Sequence, residues 1–378
     1  MVTLLELNAH ETLQENQVEP TLLEYITQKG KKINYVEMNL QLVTTTNAEF
    51  IESHLDEMNF KLNRFRVEIR GDISKELKFH YKQSFNKYSN PYAVDNLSAS
   101  LEYAYVQWNP SEKFKFTIGK QLIEHGGYEY HRNAMEVREY SEFNNLLVSH
   151  QAGISVKYLV NENHEINFQI VNNRTRSFEE LYPTGLPTDV TKSKIPFLYI
   201  FNWNGQFLDQ TVQLRYSSGI GMQSNKDYSF YLTCGQSYVN GPYLAYFDIM
   251  YTRQGLDQHG MISRLPKTPI TSENTEYLSF ISSMAYRFNW KWNSYIKGSY
   301  ETARVTKSSG YFPKGLYRSS WNIQGSIEFT PTKKLDLFFF ALYTYRSVSL
   351  KKITRAMNCN DPNTHRLSIG LVYTIPVF

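Results

Sequence analysis

"NRFRVEIRGDISKELKFHYK", residues 63–82, contains two segments with one shared habit. In the first, Phe65, Val67 and Ile69 alternate with Arg64, Arg66, Glu68 and Arg70. After Gly71 and Asp72, Leu77, Phe79 and Tyr81 alternate with Lys78, His80 and Lys82. Successive side chains of a strand point to opposite faces, so each segment has an apolar face and a charged, mostly basic face. What the apolar face touches decides the fold.

Composition narrows the answer. The chain has 378 residues with 29 Tyr and 23 Phe, yet only 41% are apolar and the mean hydropathy is −0.47. A wall that is apolar outside and polar inside holds many aromatics without a large dry core. The net charge of +4 is too small to argue for a nucleic-acid partner. No run approaches the roughly 18–20 uncharged apolar residues of a membrane helix, and "LFFFALY" at 337–343 is far too short. "MVTLLELNAHETLQ" lacks the basic start and apolar core of a secretory signal. Two cysteines, Cys234 and Cys359, exclude a disulfide framework and a cysteine-rich metal site, and free thiols are expected.

Helical periodicity is confined to "EPTLLEYITQKGKK" (19–32), which leaves residues 1–32 as an N-terminal periplasmic or plug-like segment. From residue 33 to 378, sixteen strand-like segments follow one another. Connections at one end are long (46–58, 86–96, 122–146, 173–193, 219–227, 254–274, 304–318 and 347–363). At the other end they are tight turns, near 71, 109, 161, 204, 239, 289 and 331. That asymmetry predicts an all-β, antiparallel, up-and-down transmembrane barrel of about sixteen strands. Short turns face the periplasm, long loops face outward, and an even strand number puts both termini on one side. The cell outer membrane, with its lipid and lipopolysaccharide, is the expected surrounding. Trp321, Ile323 and Ile327 against Asn322, Gln324 and Ser326 repeat the alternation. Tyr103, Tyr105, Trp108, Trp203, Tyr243, Tyr251, Trp290, Trp292, Tyr343 and Tyr345 are expected in aromatic girdles.

Facing the lumen, the basic positions become a pore wall: Arg64, Arg66, Arg70, Lys78, His80, Lys82, Lys115 and Lys120. Such a wall attracts oxyanions, and the guanidinium fork suits phosphate and carboxylate. Loop three, 122–146, carries His125, Tyr128, Tyr130, His131, Arg132, Glu136, Arg138 and Glu139 and is the candidate constriction. His125 and His131 flank Glu129, but a six-residue gap containing Gly-Gly is not a metal signature, and no metal or cofactor is expected. No nucleophile elbow, phosphate loop or His-Glu helix appears, so no enzyme is expected either.

"KLNRFRVEIRGDISKELKFHYKQSFN", "LEYAYVQWNPSEKFKFTIGKQ" and "HQAGISVKYLV" resemble the phosphate-selective porin O and P family of Gram-negative outer membranes. The Arg-rich strand before a Gly turn is Arg64, Arg66, Arg70 and Gly71. The next motif runs from Glu102 to Val106, and Ile118, Gly119 and Lys120 lead into loop three. The resemblance covers about residues 33–160 and implies a trimeric sixteen-stranded channel for passive diffusion of small solutes, with basic residues favouring anions. Loop three departs from the family's best-known members, whose constriction carries several basic loop residues. Here Arg132 and Arg138 are mixed with Glu124, Glu129, Glu136, Glu139 and Glu142. The alternative is a non-conducting barrel serving as a structural subunit beside other outer-membrane proteins. That mixed charge, residues 1–32 and the inward Phe338, Phe340 and Leu342 favour it.

Overall fold

The computed structural model describes residues 35–86, 99–133, 135–266 and 268–377. Its strands are β1 (Tyr35–Ile51), β2 (His54–Asp72), β3 (Leu77–Ser84), β4 (Leu101–Trp108), β5 (Phe114–Leu122), β6 (His150–Asn161), β7 (His164–Asn172) and β8 (Phe197–Phe207). They continue as β9 (Val212–Met222), β10 (Tyr228–Asn240), β11 (Tyr243–Leu256), β12 (Glu273–Arg287), β13 (Trp292–Val305), β14 (Gly315–Phe329), β15 (Asp336–Leu350) and β16 (Thr364–Pro376). Each pairs antiparallel with its sequence neighbours, and β1 closes the ring on β16, from Asn39↔Pro376 to Ile51↔Thr364. Closure removes both sheet edges, the condition for crossing hydrocarbon without unpaired backbone groups. The expected N-terminal segment, 1–32, and the terminal Phe378 lie outside the described residues.

Alternation holds where it was clearest. On β14 Trp321, Ile323 and Ile327 are exposed on the outer face, while Asn322, Gln324 and Ser326 are buried inside the ring. Trp290, Trp292, Tyr243 and Tyr343 are exposed, as girdle residues should be. Tyr103 and Tyr105 are not girdle residues. They turn into the lumen, where the Tyr103 ring stacks on His80 at 4.4 Å and the Tyr105 hydroxyl sits 3.1 Å from His80 Nδ1. "LEYAYVQW" is apolar at both parities, so its own pattern does not choose a face; Val106 and Trp108 take the outside.

Three local expectations are corrected. The first long loop, 46–58, is a tight hairpin with Glu52 at φ 52°, and β1 and β2 run through it. A bulge at Asn63, between the pairs Val43↔Arg64 and Thr44↔Leu62, shifts the strand's phase by one. Exposed Met58, Phe60 and Leu62 then share the outer face with Phe65, although their numbers are of opposite parity. The turn expected at 204 falls at 208–211, where Leu208, Asp209 and Gln210 have positive φ. Loop three spans 123–149.

The largest correction concerns the lumen, which contains a dry core after all. Leu198, Ile200, Tyr246, Met250, Tyr277 and Ile281 point inward from β8, β11 and β12 and pack with Ile123, Tyr130, Phe143 and Leu147 of loop three and Ile262 of loop 257–272. The reason is visible in β8: Phe197, Tyr199 and Phe201 take the outer face, and Leu198 and Ile200 are apolar as well. Such strands do not alternate because both faces are covered, one by lipid and one by a loop. Cys234 and Cys359 are free thiols.

Candidate functional site

Loop three lies inside the barrel because the wall holds it at both of its short helices. The first helix, Tyr128–His131, presents its initial N–H groups to Asp248 of β11, with Tyr128 N and Glu129 N each donating at 2.8 Å. The second, Glu142–Leu146, does the same to Glu301 of β13, from Glu142 N at 3.1 Å and Phe143 N at 2.7 Å. The first N–H groups of a helix have no internal partner and carry partial positive charge, so a wall carboxylate both satisfies and orients them. Gly127 makes the approach feasible, and Gly126 leaves room for the Tyr130 ring. A Cβ on Gly127 would lie 2.4 Å from the Asp248 carboxyl carbon.

Side-chain ion pairs complete the attachment. Glu129, fully buried, receives Lys297 Nζ at 2.5 Å and the Ser141 N–H and hydroxyl at 3.0 and 2.6 Å. Glu142 pairs with Arg318 at 2.7 Å and with Arg346 at 3.3 Å, Arg138 reaches Glu328 at 2.8 Å, Glu139 pairs with Arg366, and Glu124 with Arg215. Burial alone would push the Glu124 carboxyl up, but Arg215 and then His131 hold it at about 2. Phe340 and Leu342 form an apolar seat with Val43 and Val372 for Met135 of the loop, and the Arg138 guanidinium lies 4.4 Å from the Phe338 ring. These inward apolar residues therefore serve the loop.

Sequence reasoning missed the wall partners Arg215, Asp248, Lys297, Glu301, Arg318, Glu328, Arg346 and Arg366. A signal existed. Asp248 is the lone charge in "YLAYFDIMY", and Lys297 the lone charge in "SYIKGSY". An isolated charge on an otherwise apolar or small-polar inner face implies an ionic partner supplied from elsewhere.

The structure brings Arg64, Arg66, Arg70, His80 and Lys82 around one cavity of about 550 Å³, faced across the lumen by Tyr130, His131, Arg132 and Tyr140 of loop three. Arg66 pairs with Glu102 at 3.1 Å, and Glu68 receives Arg70 at 2.5 Å, His80 at 2.8 Å and Lys82 at 3.6 Å. Arg64 meets no carboxylate among the described residues; its guanidinium donates to the Val137 carbonyl at 3.3 Å. A second cavity of about 550 Å³ opens toward the short-turn end and shares Arg70, His80 and Tyr103 with the first. Lys78, 3.2 Å from Asp72, lies at this lower level.

Other candidates sit elsewhere. Lys115 opposes Lys157 on β6 and borders neither cavity. Lys120 is buried at the outer end of β5. Tyr128 and Tyr130 are taken up by loop packing, Glu136 pairs with Arg132, and Arg138 and Glu139 are anchors. His125 and His131 do not converge on Glu129: His131 lies beside Arg215 and Glu124, while His125 packs against Tyr130 and Tyr231 at 5.3 and 5.0 Å.

Burial, and then the neighbouring His259, push His125 down to about 3, and burial pushes His259 to about 4. Both are neutral at pH 7 in the packed loops, whereas a solvent-exposed imidazole titrates near 6.5. Below about pH 6.5 the open loops therefore take up protons that the packed loops refuse, and acid weakens packing by up to about 1.4 kcal/mol per pH unit for each histidine. Glu124, held at about 2, stays paired through that window. Protease nicking of loop three should rise between about pH 7.5 and about pH 5, and His125→Gln should lessen the rise without abolishing it, because burial also holds His131 and His259 down. A pH-independent nicking rate would refute this.

The fold is similar to that of the outer-membrane channel DcaP of Acinetobacter baumannii, with TM-score 0.60 and 9% identity over 90% of this chain and 96% of that one. OmpT of Vibrio cholerae gives TM-score 0.56 and 12% identity over 92% and 99%. OmpF of Salmonella typhi, solved with daunomycin, gives 0.54 and 10% over 90% and 97%. At such identities the likeness concerns fold alone. No curated protein sequence matches the chain. A closed sixteen-stranded barrel of the outer membrane with a long loop folded into its lumen defines a porin channel. This chain belongs to the phosphate-selective porin O and P family, whose model matches residues 37–375.

Proposed function

We propose that the channel passes small polar solutes with a preference for anions, along the passage between β2–β4 and loop three. One observation carries this reading: Arg64 stands in the passage with a backbone carbonyl, not a carboxylate, as its partner. On the same wall Arg64, Arg66, Arg70 and Lys82 outnumber Glu68 and Glu102, which leaves a surplus of positive charge. A low-dielectric wall focuses that surplus on the solute path. Loop three does not cancel it, because Glu124, Glu129, Glu139 and Glu142 are each paired to cations of the other strands, from β9 to β16.

The two cavities that share Arg70, His80 and Tyr103 argue for a conducting pore over a purely structural barrel. A homotrimer is the assembly we favour. β3, β4 and β5 are only 8, 8 and 9 residues long, a low outer belt better suited to a protein neighbour than to a full lipid leaflet, and OmpT is recorded in a trimer form.

Planar-bilayer recording in a KCl gradient tests the reading. The wild type should reverse on the chloride side. Changing Arg64, Arg66 and Arg70 together to Gln leaves Lys82 facing two carboxylates, so the reversal potential should cross zero toward potassium. An unchanged potential removes the basic wall from the mechanism, and a bilayer that stays silent favours the structural-subunit reading.

A further inference from the structure

Above loop three, at the long-loop end of the barrel, lies a third cavity of about 420 Å³. Its rim is formed by loop three, by residues 173–176 after β7 and by the loop between β11 and β12. Arg174, Arg176 and Arg264 line it together with His125 and His259, and no Asp or Glu is among its described lining residues. Arg176 and Arg264 make no side-chain hydrogen bond or ion pair among the described residues, whereas Arg174 donates to the Arg176 carbonyl at 2.9 Å. His125 is 3% exposed, and neither of its ring nitrogens nor His259 Nε2 has a hydrogen-bond partner among the described residues. Buried polar atoms without partners are uncommon, and a neutral imidazole can both donate and accept. Lys120, Asn145, Asn173, Thr175 and Gln258 add polar groups to the lining, and its aliphatic part includes Leu101, Ile123, Leu181 and Leu198.

A cavity that combines cations unpaired among the described residues with aliphatic surface does not suit a bare inorganic ion, which leaves the aliphatic surface unused. We propose that it is a docking site, ahead of the constriction, for a small organic anion, with its oxyanion head on Arg176, Arg264 and His125 and its apolar body on Ile123, Leu181 and Leu198. This rests on the anion-channel reading and adds a substrate class to it. The cavity shares Leu147, Ser149 and His150 with the passage below, so a solute docked here lies next to the Arg64 wall.

Calorimetric titration of the detergent-solubilised full-length protein tests it with four probes: benzoate, acetate, phenyl phosphate and inorganic phosphate. Burying a phenyl ring should make each aromatic anion bind at least about tenfold tighter than its counterpart without the ring. The carboxylate and phosphate pairs show which head the site takes. Arg176→Gln and Arg264→Gln should each weaken the aromatic anion about tenfold, with the unheated gel mobility of each variant confirming a folded barrel. Equal binding of all four probes, no binding of either aromatic anion, or unchanged affinity in both variants would overturn the site. The wild-type reversal potential reports on the channel separately. Chloride preference without aromatic binding defeats only this inference, and potassium preference with aromatic binding intact defeats only the anion-channel reading.

Discussion

Lys297→Met should release loop three from the wall. The substitution strips the fully buried Glu129 carboxylate of its only cation among the described residues and leaves it with Ser141 and Asn144 as donors. Removing one partner of a buried pair destabilises by about 3–5 kcal/mol, because an uncompensated charge stays behind in a poorly solvated site. The barrel hydrogen bonds are untouched, so the penalty falls on the loop. New protease cuts should appear within 123–149, and the pore should show larger, noisier currents. The double change Lys297→Met with Glu129→Gln deletes the charge as well as its partner and should recover most of the protection. If the single variant keeps wild-type protection and quiet currents, the pair does not hold the loop.

Gly119→Ala should act on the barrel itself. Gly119 on β5 has φ 124°, a region closed to side-chain-bearing residues, and a Cβ there would sit 2.2 Å from the Ala104 carbonyl oxygen and 2.8 Å from Tyr105 Cα on β4. Backbone strain contributes roughly 1–3 kcal/mol, and relieving the clash requires parting β4 from β5. Their register covers only five pairs, from Ala104↔Lys120 to Trp108↔Phe116, so little else holds this seam. The expected result is loss of the compact unheated gel band at a markedly lower temperature than wild type. A variant with unchanged heat resistance would show that the seam relaxes around a methyl group.

The wall was legible in the sequence and its furniture was not. Arg64, Arg66, Arg70, His80 and Lys82 could be placed on one inner face because β2 and β3 alternate strictly, and an alternating strand tells which side each residue takes. Tyr103 and Tyr105 could not, since β4 is apolar at both parities. The extended β1–β2 hairpin was hidden by the Asn63 bulge, which changes the phase of the pattern midway. Loop three could be suspected from its length and position. Its mixed charge could not be interpreted alone, because every one of its carboxylates except Glu136 takes its meaning from a residue some 90 to 230 positions later, as in Glu124 with Arg215 and Glu139 with Arg366. The dry half of the lumen left a trace in β8 and β11, where the inner positions of "FLYIF" and "YLAYFDIM", Asp248 apart, are as apolar as the outer ones. In a water-facing barrel, aliphatic residues at inner positions, such as Leu198, Ile200 and Met250, mark the place where a loop docks.

On the path proposed above, solutes would meet one arc of this ring, while the buried apolar cluster is concentrated on the other. Leu198, Met250, Tyr277 and Ile281 act as ballast on the far side, remote from Arg64 and its neighbours. Under that proposal the arginine-bearing arc is free to drift in composition: exchanging a few charges there would retune what is admitted, with no need to rebuild the semicircle that keeps the molecule upright.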